Sequence, residues 1–139
     1  MASTTAFCTS AKVDYLRGEN DAADTYKIAL YTSTATHDAT TTVYSVTNEI
    51  SGTGYTAGGV TLAGYASASS GTTAFLDWST DPQWTGASFT AASALIYNSS
   101  NSDASKVVLD FGGDQTVSSG TFTIQFPTAD ASNAIIRMA

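Results

Sequence analysis

The feature that most constrains the fold is a series of apolar segments that alternate with polar residues from position 24 to the C-terminus. In the first segment, Tyr26, Ile28 and Leu30 occupy every second position. A period of two is typical of a strand that buries one face. Turn-forming residues recur about every ten residues, a spacing typical of β-sandwiches and jelly rolls. The sequence therefore predicts an all-β fold.

The same pattern gives the expected positions of the strands, the turns and the core. We expect strands at residues 25–31, 43–46, 60–65, 72–78, 87–91, 94–97, 107–111, 121–126 and 134–137. Turns are expected at residues 69–71, 98–101, 112–114 and 118–120, with a further break at Pro82. The predicted core comprises Tyr26, Ile28, Leu30, Phe75, Trp78, Leu95, Val108, Phe111, Phe122, Ile124 and Ile135.

A helix is predicted near the N-terminus, over residues 4–17. Phe7, Ala11 and Tyr15 recur at the spacing of one helical face, and Gly18 is suited to end the helix. The residues able to cap its start are Ser3 and Thr4. We divide the chain into an N-terminal helix and acidic turn, residues 1–23, and a β-sandwich or jelly-roll domain, residues 24–139. We expect the second unit to stay folded when residues 1–18 are removed.

Charge and composition exclude several classes of function. The net charge is −7, and the five cations are scattered along the chain, so no basic patch is expected to bind nucleic acid. One cysteine, Cys8, leaves no intrachain disulfide and suits folding in a reducing cytoplasm. No apolar run has the ~20 residues that a membrane span needs, and the first residues do not resemble a secretory signal. We expect no nucleic-acid or membrane partner.

A glycine-rich segment gives a formal match to a dinucleotide-binding motif. Gly52, Gly54 and Ala57 have the spacing of that fingerprint. The motif requires a helix that opens directly after the glycines, because the helix N-terminus binds the pyrophosphate. Here a strand is predicted from Val60, so the segment is interpreted as a glycine-rich turn and no cofactor is expected.

The histidine and the cysteine give weak candidates for catalysis or metal binding. His37 lies beside Asp38 in a threonine-rich loop, without the Gly-x-Ser-x-Gly motif of a nucleophilic serine. A metal site would have to use His37 and the distant Cys8, which is a poor ligand set. We interpret His37 as a loop residue and expect neither a catalytic residue nor a metal ligand here.

The acidic residues provide two further candidates. Glu19, Asp21 and Asp24, with Asn20, contain oxygen ligands for Ca²⁺ but lack the spacing of an EF-hand loop. They are interpreted as a solvated turn after the helix.

Asp77 and Asp81 flank Trp78 and Trp84, a combination of carboxylates and aromatic rings that suits a sugar site. The strand pattern explains Trp78 more simply as a core residue. Asn98 begins a formal glycosylation sequon, which has no meaning without secretion.

Five segments of the chain resemble a family of small structural proteins of tailed bacteriophages. They are DTYKIALYTS (24–33), GTGYTAGG (52–59), ALIYN (94–98), VLDFG (108–112) and QFP (125–127). The resemblance extends from the helix residues 7–17 to the C-terminus and covers most of the chain. Members of this family are virion components, above all capsid decoration (cement) proteins, and the resemblance carries no catalytic residues.

The resemblance implies a capsid protein made in the host cytoplasm and bound to the outside of the assembled virion. The major capsid protein and further copies of the chain are the expected partners, with a homo-oligomer in which a trimer is favoured over a dimer. Contacts are expected from the helix region and the loops 32–42 and 52–59. The alternatives are a tail, collar or fibre subunit, and a carbohydrate-binding module that uses Tyr55, Tyr65 or Trp84 as stacking platforms.

Overall fold

A computed structural model describes residues 2–139 as two antiparallel sheets and one short helix, which confirms the all-β, sandwich-like fold. The elements are β1 (Ala6–Phe7), α1 (Thr9–Arg17), β2 (Tyr26–Tyr31), β3 (Val60–Thr61), β4 (Ala63–Ser70), β5 (Thr73–Thr80), β6 (Gln83–Asn98), β7 (Ala104–Thr123) and β8 (Ile136–Met138). The larger sheet has the order β1-β7-β6-β2-β3, and the smaller sheet has the order β4-β5-β8.

The chain passes from the larger sheet to the smaller one within a few residues. Val60 pairs with Ile28 in the larger sheet, and Ala63 pairs with Thr80 in the smaller one. Between them, the buried Leu62 donates its N–H to the carbonyl of Tyr26. The single strand expected over residues 60–65 is therefore two strands, because the chain changes partner at Leu62.

The main core lies between the two sheets. Leu76, Trp78 and Ile136 of the smaller sheet pack in the same cluster as Ile28 and Leu30 of the larger sheet. Six predicted core residues are fully buried: Tyr26, Ile28, Leu30, Trp78, Leu95 and Val108. Four are partly buried and pack against the main cluster: Phe111, Phe122, Ile124 and Ile135.

The prediction for Phe75 is wrong. Successive side chains of a strand point to opposite faces, and in β5 the inward positions belong to Leu76 and Trp78. Phe75 is only partly buried and stands outside the core cluster. The sequence offered two adjacent apolar residues, and the alternation alone did not identify which one faces the larger sheet.

A second cluster lies on the opposite face of the larger sheet. Ala29, Tyr31, Leu95, Tyr97 and Val108 form this outer face together with residues of the N-terminal segment. The outer face is covered by Cys8 and Ala11 of the α1 region and by Ala35 and Tyr44 of the long β2–β3 connection. The molecule thus has a third layer, made of α1 and loop.

The helix is shorter than the sequence predicted. Residues 4–8 are not helical, because Ala6 and Phe7 pair with Val108 and Val107 of β7. The helix begins after Cys8, and neither predicted cap, Ser3 or Thr4, is at its start. The predicted end is confirmed: Gly18 has φ 74°, and its N–H donates to the carbonyl of Tyr15.

Two predicted turns and one predicted strand are wrong. Residues 112–114 and 118–120 lie inside β7, where Gly112 (φ 78°) and Ser119 (φ 50°) adopt left-handed conformations. The pairing of β7 with β6 changes register several times, so these residues form irregularities within a long ribbon and do not reverse the chain. Residues 43–46 form one isolated bridge, between Val43 and Ala104.

Candidate interaction surface

Glu49 is the centre of the hydrogen bonds that hold the β2–β3 connection. Its Oε1 accepts hydrogen bonds from the Tyr55 hydroxyl at 2.6 Å and the Gly58 N–H at 2.7 Å. Its Oε2 accepts one from the Tyr44 hydroxyl at 2.7 Å. Hydrogen bonds to a charged acceptor are stronger than those between neutral groups. Glu49 therefore ties together parts of the loop that are distant along the chain.

Tyrosine side chains of the larger sheet also hold the β2–β3 connection. The Tyr31 hydroxyl donates to the Ser45 carbonyl at 2.7 Å, and the Tyr97 hydroxyl donates to the Gly58 carbonyl at 2.7 Å. The ring of Tyr97 also stacks on that of Tyr44, with centroids 4.6 Å apart. The loop is therefore a preformed surface, fixed by both polar and aromatic contacts.

The glycines of this connection allow a close approach to β2. Gly59 has φ 77°, and a Cβ at this position would overlap the carbonyl oxygen of Ile28. The segment with Gly52, Gly54 and Ala57 is a loop that leads into β3, as the sequence predicted. A helix N-terminus that could bind a pyrophosphate does not follow these glycines.

Helix α1 is fixed to the sheet by a buried ion pair. Lys106 of β7 is fully buried, and its Nζ lies 2.8 Å from Oδ2 of Asp14. Nζ also lies 6.0 Å from the ring centroid of Tyr15. An unpaired buried charge is strongly destabilising, so Asp14 is required wherever Lys106 is buried.

The start of α1 also contacts the loop, so the two form one surface. The N–H of Thr9 donates to the Ala39 carbonyl at 2.8 Å, and the Ser10 hydroxyl donates to the Thr41 carbonyl at 3.5 Å. We call α1 together with residues 38–46 the helix–loop surface. The helix region and the 32–42 loop, two of the segments from which contacts were expected, thus adjoin each other.

Exposed apolar side chains are present on both parts of the helix–loop surface. On α1, Leu16 is 87% exposed and Val13 is 40% exposed. On the loop, Val46 is 67% exposed and Val43 is 47% exposed. Exposed apolar side chains mark a protein contact when they form a contiguous patch, and these four are the large apolar side chains that the helix–loop surface exposes.

His37 and Asp38 have structural contacts. The backbone of His37 binds the N-terminal arm: its N–H donates to Ser3 Oγ, and its carbonyl accepts from Thr4 N–H. Its ring packs edge-on against Tyr31 at 4.3 Å, and burial lowers the pKa of the imidazole. Asp38 accepts hydrogen bonds from the N–H and hydroxyl of Thr40, which lower the pKa of its carboxyl.

The acidic turn is tied to the end of β6. Asp24 accepts a hydrogen bond from the buried amide of Asn98 at 2.8 Å, and the Asn20 side chain accepts another from the same amide at 3.4 Å. Asn98 is therefore not an accessible glycan acceptor. In the part of the chain from 2 to 139, no three His, Cys, Asp or Glu side chains form a group suited to a metal ion.

The aromatic rings proposed as sugar platforms pack against other rings of the protein. Trp78 and Trp84 are buried, and Trp84 packs with Tyr55 at 6.2 Å between ring centroids. Tyr65 stacks on Tyr26 at 5.2 Å. Burial therefore removes Trp84 as a stacking platform, whereas Tyr55 and Tyr65 are partly buried and remain partly exposed.

The two acids beside these tryptophans also have structural positions. Asp77 is buried and accepts the N–H of Trp78 at 2.8 Å, whereas Asp81 accepts the N–H of Phe126 at 2.9 Å. Burial raises the pKa of the Asp77 carboxyl, against the opposing effect of nearby backbone N–H groups. Each acid therefore fixes backbone at an end of β5.

Sequence reasoning missed the two residues that organise the helix–loop surface and its supports. Glu49 was one acid within a polar loop, and Lys106 was one of five scattered cations. The partner of Lys106 lies 92 residues away along the chain, which no local pattern indicates. The position of Lys106 at the start of an apolar strand segment was the one available signal.

No family model, curated protein or solved structure matches this chain. Within residues 2–139, no helix has the length and hydropathy required to cross a bilayer. The interpretation of the helix–loop surface depends on its own geometry and on the resemblance carried by the sequence segments.

Proposed function

We propose that this chain is a decoration protein of a tailed-bacteriophage capsid, bound to the outside of the assembled shell through the helix–loop surface. It performs no catalysis and associates with the major capsid protein and with further copies of itself. A protein that binds only the assembled lattice stabilises that lattice by mass action.

One observation carries the proposal: α1 and residues 38–46 adjoin through hydrogen bonds at the start of α1, and both segments expose large apolar side chains. Leu16 and Val46 are the most exposed large apolar residues of the described chain. A rigid surface loses little conformational entropy when it binds, which favours contact with a repeated lattice. The resemblance to virion proteins supplies the identity of that lattice.

Labelling of purified particles tests the proposed location. The expected result is a label distributed over the capsid exterior in many copies. A label confined to the tail or fibres would contradict decoration and favour the alternative of a tail, collar or fibre subunit. If the protein were absent from purified virions, both versions would fail.

A pair of substitutions tests the proposed surface. Leu16→Ser combined with Val46→Ser should reduce the amount of protein that sediments with capsids lacking it, while the melting temperature stays close to that of the wild type. Met138→Ser is the matched control, because Met138 is an exposed apolar residue on β8. Equal binding by the wild type and the double variant would contradict the surface assignment.

A further inference from the structure

The free edges of the two sheets differ in how they are protected against other strands. β1 and β3 have two residues each and β8 has three, and short edge strands offer few groups for pairing. Beyond Val108, the outer edge of β7 carries Asp110 and Asp114 and is interrupted by the left-handed residues Gly112 and Ser119. Charge and irregularity both discourage the addition of a strand.

β4 has little of this protection: it carries no charge, and its one left-handed residue, Gly64, lies next to its first residue. It is eight residues long and pairs regularly with β5 on one side, from Tyr65–Trp78 to Ser70–Thr73. Among the residues that the structure describes, no strand pairs with its other side. From Ile50 through Leu76 the chain contains no charged residue, so β4 lies in the middle of a long uncharged stretch. Its edge groups are available for hydrogen bonds.

Charge favours a second copy of the chain as the occupant of this edge. Each copy has a net charge of −7, so two copies repel each other wherever acidic surfaces meet. β4 itself has no charged side chain, so pairing of two β4 strands places no like charges directly opposite each other. The small Ala and Ser side chains of β4 also allow the backbones to approach closely.

We propose that β4 pairs with β4 of a second copy, antiparallel and about a twofold axis, to join two three-stranded sheets into one. Identical edges related by a twofold axis close into a dimer and leave no free β4 edge. A groove of about 440 Å³ extends from α1 and β4 over the face of the smaller sheet to β8, and is lined in part by Tyr15, Tyr65 and Met138. The inference concerns the self-association included in the proposed function and makes it a dimer, because a trimer requires two different surfaces.

Sedimentation equilibrium of the purified full chain tests the dimer. The protein concentration should be roughly 10–100 μM, a range in which weak association is detectable. The wild type should form a dimer. Ala66→Lys combined with Ala68→Lys should be monomeric, because in an antiparallel pairing centred on Ser67 the two lysines of one copy lie opposite the two lysines of the other. The control is Thr121→Lys with Thr123→Lys, exposed positions of β7, which should remain dimeric.

A charge-complementation experiment gives a gain of association that unfolding cannot produce. The variant with lysine at positions 66 and 68 and the variant with glutamate at both positions should each be monomeric and should form a heterodimer when mixed. If either variant does not fold, hydrogen exchange of the wild type tests the dimer instead. Protection of the β4 amides should increase with protein concentration.

Three results would overturn the inference: a wild-type monomer, a trimer, or dimer loss only in the β7 control. Capsid binding is measured separately on the same proteins. A monomer that binds capsids would contradict the β4 dimer but not the decoration function. A β4 dimer that does not bind capsids would contradict the decoration function but not the dimer.

Discussion

Buried ionisable residues are satisfied to very different degrees in this molecule. Lys106 has its carboxylate partner, Asp14, at 2.8 Å. Asp77 accepts one backbone hydrogen bond through Oδ1, while its Oδ2 has no partner of suitable hydrogen-bond geometry. The first is a matched pair that stabilises only when intact, and the second is a buried acid whose charged form is disfavoured.

Replacing Asp14 should destabilise the chain through Lys106. We expect Asp14→Ala to lower the free energy of unfolding by about 3–5 kcal/mol, the usual cost of leaving a buried charge without its partner. Urea denaturation measures the change. The double variant Asp14→Ala with Lys106→Met is the control and should recover much of the loss, because it removes the unpaired charge. No recovery would indicate that Asp14 acts independently of Lys106.

The buried acid Asp77 should make stability depend on pH in the direction opposite to an ion-paired acid. Because its pKa is raised in the folded state, its contribution is full below the ordinary value of 3.8 and is lost as pH rises through the folded-state pKa. The stability of Asp77→Asn relative to the wild type should therefore increase with pH. Denaturation at several pH values checks this, with the exposed Asp114→Asn as control. A constant difference would contradict it.

Among the structural elements, the β2–β3 connection is unusual because a long loop is as firmly held as a strand. Glu49 binds Tyr44, Tyr55 and Gly58, and the backbone N–H of Ile50 donates to the carbonyl of Leu30 at 3.0 Å. The loop therefore follows the free edge of β2 and then covers the outer face of the sheet. The carboxylate of Glu49 joins three parts of the loop, and Tyr31 and Tyr97 add separate hydrogen bonds from the sheet.

Glu49→Ala should open this loop without unfolding the sheets. Hydrogen bonds to a charged group contribute about 1.5–3 kcal/mol each, so the loss of three should release residues 43–59. Hydrogen exchange at Gly58 and limited proteolysis within that range should both become faster. Glu19→Ala, an exposed substitution in the acidic turn, is the control. Unchanged protection at Gly58 would show that other contacts hold the loop.

The elements that sequence could predict are those set by local chemistry. The strand β2 and the left-handed glycine at the end of α1 are local features, and both were predicted correctly. The half-buried pattern predicted for β2 is wrong, because the outer cluster also buries Ala29 and Tyr31.

The long strands β6 and β7 were each divided in two. In β6 the division falls where the register with β7 shifts between Ala91 and Ser93. In β7 it arises because Gly112 and Ser119 have the same residue preferences in a turn and in a bulge. Pairing with β6 decides whether such residues form a turn or a bulge, and a short sequence segment does not indicate with which strand it pairs. The same applies to Lys106 and Glu49, whose roles come from distant partners.

At the scale of the whole molecule, the N-terminal segment is part of the sheet structure. β1 pairs with β7, Cys8 and Ala11 fill the outer cluster, and Asp14 neutralises Lys106. Without residues 1–23, the rest of the chain would expose the apolar outer face of the larger sheet, together with Lys106. We therefore expect that residues 24–139 do not stay stably folded without the N-terminal segment, contrary to the expectation from the sequence.

A chain that begins at residue 24 should lose cooperative unfolding. The reason is the combined loss of a strand partner, a covering helix and the counter-charge of a buried lysine. Thermal and urea unfolding followed by circular dichroism measure it against the full chain. A truncated chain as stable as the full one would contradict this view.

The pairing of β2 with β6 has a consequence for how fast the chain reaches its native state. The β4–β5 and β6–β7 hairpins join neighbours along the chain, whereas Ile28 pairs with Ile96 across a long intervening segment. Closing a long loop costs entropy before its contacts form, so such pairings are slow. The two hairpins should therefore be kinetically early and the insertion of β2 late. In pulse-labelling hydrogen exchange, amides of β6 facing β7 should become protected before those of β2.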